Sequence, residues 1–118
     1  MEKRKYYGFS GWDGVLSDFE VTGIPEPEFV YALYVMPPYE GDATVIFKDG
    51  DGWHQVHGSH CSCFGLEQQW EPDEFDPRVF FAGKDEGRTI LTVEDYEKDN
   101  PEATQENFEA WLKQAIAA

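Results

Sequence analysis

The stretch EFVYALYVMPPYEGDATVIFKDGDGWHQVH, Glu28 to His57, decides the fold. Its first part, Glu28 to Met36, is β-branched and aromatic and stops at Pro37-Pro38, the pattern of a strand ended by residues that cannot continue one. Tyr39 to Asp42 reads as a loop and Ala43 to Lys48 as a second strand. Asp49 to Gly52 contains Asp-Gly twice, the strongest short hairpin signal, and leads into a third strand, Trp53 to His57. The expectation is an antiparallel meander of three strands. On the third, side-chain alternation puts Trp53, Gln55 and His57 on one face and His54 and Val56 on the other.

Upstream, residues 1 to 27 are punctuated by Gly8, Gly11, Gly14, Gly23, Pro25 and Pro27, and the reading allows one or two short strands there. Downstream, Ser59 to Pro77 reads as irregular with one helical turn over Phe64 to Trp70. Arg78 to Gly83 reads as a short strand or an apolar plug, and Arg88 to Val93 as another strand. At the C-terminus Asn100 is expected to cap a helix that starts at Pro101 and runs to about Ala117. Phe108, Trp111, Leu112, Ala115 and Ile116 recur there at helical spacing, and this apolar stripe needs a sheet face to cover. The fold class is therefore α+β, an antiparallel meander packed against a C-terminal helix, in one domain over 1–118. No internal repeat is apparent.

Composition bounds the function. The chain has 118 residues, 16% of them aromatic, so a core can form despite its charge. The longest apolar run, Phe29 to Met36, is too short to cross a membrane as a helix, and the first residues have no apolar segment of the secretory kind. These features lead to the expectation of a cytoplasmic protein. Nine Lys and Arg face 24 Asp and Glu, a net charge of −15, with 10 acids and 4 bases through Cys63 and 14 acids and 5 bases after it. Fifteen charges match about 25 Å of duplex DNA, at one charge per about 1.7 Å of axis. Such a domain is repelled by nucleic acid and by anionic membrane, and attracts proteins with basic grooves.

His54, His57, His60, Cys61 and Cys63 fall within ten residues. His57, His60, Cys61 and Cys63 form a candidate zinc set by ligand type. Structural zinc sites, however, take paired ligands from separated knuckles, and four ligands in seven residues require a very tight reversal. The alternative is that Cys61 and Cys63 are small buried residues under the helix, with free thiols because residues two apart span a disulfide poorly. A Cys–His nucleophile pair has no accompanying oxyanion-hole signature. Lys48 to Trp53 has the look of a calcium loop but lacks its third oxygen ligand and closing Glu, and a hairpin turn accounts for it.

Tyr39 to Ala43, the string GSHCSCFGLE of Gly58 to Glu67, and QWEP of Gln69 to Pro72 together carry a resemblance. Over Tyr31 to Glu74 the chain resembles a family of small acidic proteins encoded by bacteriophages and related mobile elements. The resemblance implies a phage-type origin, hence a host-cell cytoplasm, and carries no activity or cofactor with it. Charge and resemblance together lead to the expectation of a non-enzymatic, cofactor-free inhibitor. Its partner would be a host protein with a basic nucleic-acid-binding groove, such as a CRISPR effector or restriction enzyme, bound without direct contact to nucleic acid or membrane. The expected partner-binding residues are Glu67, Glu71, Asp73, Glu74 and Asp76, in a segment tied down by Trp70 and Pro72, with Glu94, Asp95 and Glu97 before the last helix; Asp99 there serves the helix N-terminus. The alternative is a small zinc-binding or redox accessory protein using His57 to Cys63.

Overall fold

The computed structural model describes residues 1–35, 40–50, 52–61, 65–82 and 102–118. Among the described residues five strands form one sheet in the order β1-β2-β3-β4-β5: β1 Arg4–Tyr7, β2 Phe29–Val35, β3 Glu40–Asp49, β4 Gly52–Cys61 and β5 Asp73–Glu74. Strands β2, β3 and β4 are the antiparallel meander that the central stretch specifies, with Phe29 opposite Lys48 and Val45 opposite Val56, but β3 and β4 are longer than expected: Glu40 to Asp42, read as loop, pairs with Ser59 to Cys61, read as irregular. Asp49 pairs with Gly52 across the Asp-Gly turn, where Gly50 has φ +60, a conformation that glycine adopts without a side-chain clash.

Two features lie outside the sequence reading. Strand β1 pairs parallel to β2, and helix α1, Trp12–Phe19, connects them. A parallel pair needs a crossover of this kind, because a tight turn reverses the chain direction. Trp12, Val15, Leu16 and Phe19 stand at i, i+3, i+4 and i+7, so the helical period was present among the glycines that made the segment look turn-rich. Glu20 closes α1 in the left-handed conformation at φ 55, and its N–H donates to the carbonyls of Leu16 and Ser17.

The strand alternative for the segment from Arg78 is not what the described residues 78–82 form. Pro77–Phe81 forms a short helix, α2, whose N-cap Asp76 accepts a hydrogen bond from the Arg78 N–H at 2.9 Å. A proline at the first helical position and an aspartate before it favour this over a strand. The C-terminal helix, α3, spans Gln105–Ala117, with the Thr104 hydroxyl accepting from the Asn107 N–H at 3.1 Å. It therefore starts four residues after Pro101, because Thr104 supplies the cap. The expected cap Asn100 and the expected strand at 88–93 lie outside the described residues. Between Gly65 and Trp70 there is a turn and no helix; Gln69 N–H donates to the Leu66 carbonyl and Gln68 has φ 66.

Both sheet faces are covered. On one, Phe29, Tyr31, Leu33, Val35 and Ile46 pack against Phe108, Trp111, Leu112 and Ala115 of α3. On the other, Val30, Ala32, Val45, Phe47 and Val56 pack against Trp12, Val15 and Phe19 of α1 and against Leu66. This is why β2 reads as an unbroken apolar run: it is buried on both sides. Ile116, in the last turn of α3, stays 48% exposed, so the apolar stripe is one residue narrower than its sequence.

Trp111 concentrates the α3 contacts. Its ring meets Tyr31 at 5.3 Å and Trp53 at 6.1 Å, and its indole N–H donates to the Glu2 carbonyl at 2.8 Å, tying the N-terminus to the C-terminal helix. Trp111→Ala is expected to cost about 3–5 kcal/mol, read as a lower midpoint in urea unfolding with an unchanged slope.

Candidate functional site

The residues from Gly65 to Ala82 contain five acids and one base. After β4 ends at Cys61, the chain returns antiparallel along the free edge of that strand, and apolar anchors set its path. Leu66 is buried on the α1 face. Trp70 lies on the same face, stacked on Phe47 at 5.9 Å and edge-on to Phe19 at 5.2 Å. Phe75 is buried on the α3 face, 5.8 Å from Phe80. The segment therefore wraps around the sheet edge from one core to the other, and the residues between Trp70 and Phe75 face solvent. Pro72 is exposed and anchors nothing, which corrects the sequence reading; Leu66 and Phe75 do the work assigned to it.

Polar groups complete the attachment. The Gln69 side chain accepts from the Ser59 N–H at 2.8 Å and donates to the Gly65 carbonyl at 3.0 Å. Asp73 and Glu74 pair with Gln55 and His54 as β5, and the buried Gln55 amide donates to the Glu74 carbonyl at 3.0 Å. Gln55 Oε1 in turn accepts from His57 Nε2 at 2.8 Å, which leaves His57 Nδ1 to accept from the Thr44 hydroxyl at 3.2 Å.

The five acids now sort by what they do. Glu67 accepts from the Gly65 N–H at 3.1 Å, and Asp76 caps α2 with Arg78 Nε 3.5 Å away. Glu71, Asp73 and Glu74 are exposed and make no ion pair among the described residues. Glu67 stands beside His60 and Glu74 opposite His54, so four carboxylates are strung over six residue steps of strand, about 20 Å, with a mean spacing of about 7 Å. One strand of duplex DNA carries one charge per about 3.4 Å of axis. The opposite edge of the sheet is different. Lys3 pairs with Glu28 at 3.2 Å, Arg4 with Glu26 at 3.4 Å and Lys5 with Glu2 at 3.9 Å, so the β1 edge is locally neutral. Among the described residues, the two edges of the sheet therefore differ in how their acids are compensated. The residues Glu94, Asp95, Glu97 and Asp99 lie outside the described residues.

The histidine–cysteine cluster is not gathered into one site. Strand alternation puts His57 on the α3 face with Thr44 and Gln55, and His60 on the α1 face with Tyr34. Cys61 is exposed at the last residue of β4, opposite Glu40, and not buried under the helix as its residue type suggested. Its position at the strand end decides this. Cys63 lies outside the described residues, and among the described residues no three His, Cys, Asp or Glu side chains converge as metal ligands.

His60 sits in a polar arrangement of its own. Its Nδ1–H donates to the Cys61 carbonyl at 2.7 Å, so Nε2 is the acceptor and the Tyr34 hydroxyl donates to it at 2.5 Å. Burial raises the Tyr34 phenol above its ordinary value, with Asp18 and Glu67 adding to the effect, so it remains a donor. Gly41, paired with His60, is required here because a Cβ would fall on the imidazole. Ser59, His60, Glu67 and Gln69 line a cleft of about 460 Å³ beside this pair.

No family model matches the chain, and no curated protein or solved structure is significantly similar to it.

Glu67 carries a pH dependence whose sign follows from its contacts. Its own N–H and that of Gly65 hold the carboxyl below the usual range, with the nearby His60 assisting. A folded value below the unfolded one, about 4.3 for glutamate, means that the stabilisation is present above the unfolded value and is lost as pH falls through the folded one. The Glu67 carboxyl carbon is expected to titrate by NMR below pH 4.3, and Glu67→Gln to remove the acid-induced shift of the Gly65 amide. A Glu67 midpoint above about 4.3 would contradict this geometry.

Proposed function

We propose that the chain is an acidic protein-binding module, and that its partner is a host enzyme that handles DNA or RNA, held through the row of carboxylates on the β4–β5 edge. The observation that carries this reading is the exposure of Glu71, Asp73 and Glu74 without ion pairs among the described residues, against the paired β1 edge. A nucleic-acid-binding groove lined by Lys and Arg is the complementary surface. The resemblance of Tyr31 to Glu74 to small phage proteins supplies the setting, in which such a module inhibits an anti-phage defence enzyme of the CRISPR or restriction type by occupying its nucleic-acid site.

Physical magnitudes favour a built surface over an incidental one. Two carboxylates about 7 Å apart repel by about 0.6 kcal/mol in water, while burying Leu66 and Phe75 contributes about 1.5–3 kcal/mol each. The anchors hold the acids in place against their mutual repulsion. An edge strand also benefits from charge, which discourages pairing with other strands; two residues of β5 suffice for that role, and Glu67 and Glu71 extend the row beyond it.

The test compares two triple variants of equal net charge. Glu71→Gln, Asp73→Asn and Glu74→Gln together are expected to slow association with a sensitive nuclease or CRISPR effector at least about tenfold at low ionic strength. Glu2→Gln, Glu26→Gln and Glu28→Gln together should leave it nearly unchanged. The difference should vanish near 1 M salt, where the Debye length is about 3 Å. A partner whose affinity ignores both salt and the first triple would sink the proposal.

A further inference from the structure

All three histidines of the chain lie on β4, the strand that borders the acidic row. Two of them have both ring nitrogens engaged. His57 accepts from the Thr44 hydroxyl and donates to Gln55, and His60 accepts from the Tyr34 hydroxyl and donates to the Cys61 carbonyl. A second proton on either ring requires the facing hydroxyl to turn its own proton elsewhere. His54 is different. It makes no hydrogen bond or ion pair among the described residues, and its half-buried ring lies against Phe47 at 5.3 Å.

The register places Glu74 directly opposite His54. Facing residues of an antiparallel pair share one side of the sheet, with Cβ atoms about 4.5–5.5 Å apart, so this imidazole and carboxylate can meet by side-chain rotation alone. The other charged groups nearby are mostly anionic. Alternation along β3 puts Asp49 on the same side, two residues beyond Phe47 and opposite Gly52. Asp76 and Arg78 line a groove of about 590 Å³ together with His54 and Glu74, but they pair with each other at 3.5 Å. Glu74 is thus the acid that the backbone pairing presents to the ring. A neutral imidazole leaves that carboxylate to a partner, whereas an imidazolium competes for it.

We propose that His54 is a proton-operated switch on the acidic edge: its protonated ring pairs with Glu74 and withdraws that carboxylate from the basic partner. The inference rests on the charge-driven binding described above and adds its regulation. Histidine is the side chain that ordinarily changes charge between about pH 5 and pH 8, and carboxylates ordinarily do so near about pH 4. Binding therefore weakens as pH falls through the histidine range, before the acids themselves are neutralised.

Two measurements test this. The Glu74 carboxyl carbon, followed by NMR from about pH 8 to about pH 5.5, is expected to shift as His54 gains its proton and to hold still in His54→Gln. A blocked tetralysine peptide, whose own charge is constant over that range, should bind at low ionic strength at least about threefold more weakly at the lower pH. His54→Gln should remove most of that difference, and His57→Gln, on the opposite face with Thr44 and Gln55, should keep it. A Glu74 signal that does not move, an affinity that ignores pH, or a pH dependence that survives His54→Gln overturns the switch and leaves the charged edge standing. A peptide that binds at neither pH overturns both.

Discussion

Burial of strand β2 on both faces is the constraint on which the rest depends. Seven residues, FVYALYV, carry no polar side chain apart from two tyrosines, and a sheet with one solvated face would leave every second one wet. Each large apolar side chain kept from water is worth about 1.5–3 kcal/mol, so a helix on each side is strongly favoured. Helix α3 covers the Tyr31 and Leu33 face and α1 the Val30 and Ala32 face. The parallel pairing of β1 follows from the same demand, because a helix laid across the second face returns the chain to the sheet in its original direction.

Two cores on opposite sides of one sheet leave its edges as the places where charge can gather. Among the described residues, the β1 edge has basic residues with acids beside them, and the β4–β5 edge has acids and one arginine, Arg78. What makes the second edge a surface rather than a loose loop is that its segment is fastened to both cores. Leu66 and Trp70 enter one, Phe75 the other, and the backbone between them has to pass around the strand with its polar side chains outward. The carboxylates are thus positioned by apolar side chains several residues away from them.

The same geometry disperses the chemically able side chains. Three histidines and a cysteine within eight residues of β4 are separated by pleat alternation, so that His57 joins a buried Thr–Gln relay while His60 pairs with Tyr34 on the far face. Proximity along a strand is poor proof of a common site, since neighbours point apart and same-face partners stand about 7 Å away.

The sequence by itself determined the α+β class, the three-stranded meander with its Asp-Gly turn, the faces of Trp53 and His54, and an amphipathic C-terminal helix. These are local properties: period and turn chemistry are written in consecutive residues. Helix α1 was legible in the spacing of Trp12, Val15, Leu16 and Phe19 but was masked by the glycines around it, and Asp76-Pro77 marked the start of α2. Only the tertiary structure decided that β1 runs parallel to β2, that Cys61 is exposed, and which of five acidic residues are engaged by their neighbours. Among the described residues, Glu67 and Asp76 are bound to backbone N–H groups while Glu71, Asp73 and Glu74 are not, a distinction set by where Leu66, Trp70 and Phe75 find their cores. Those contacts join residues distant in the chain, and no spacing rule within the segment encodes them.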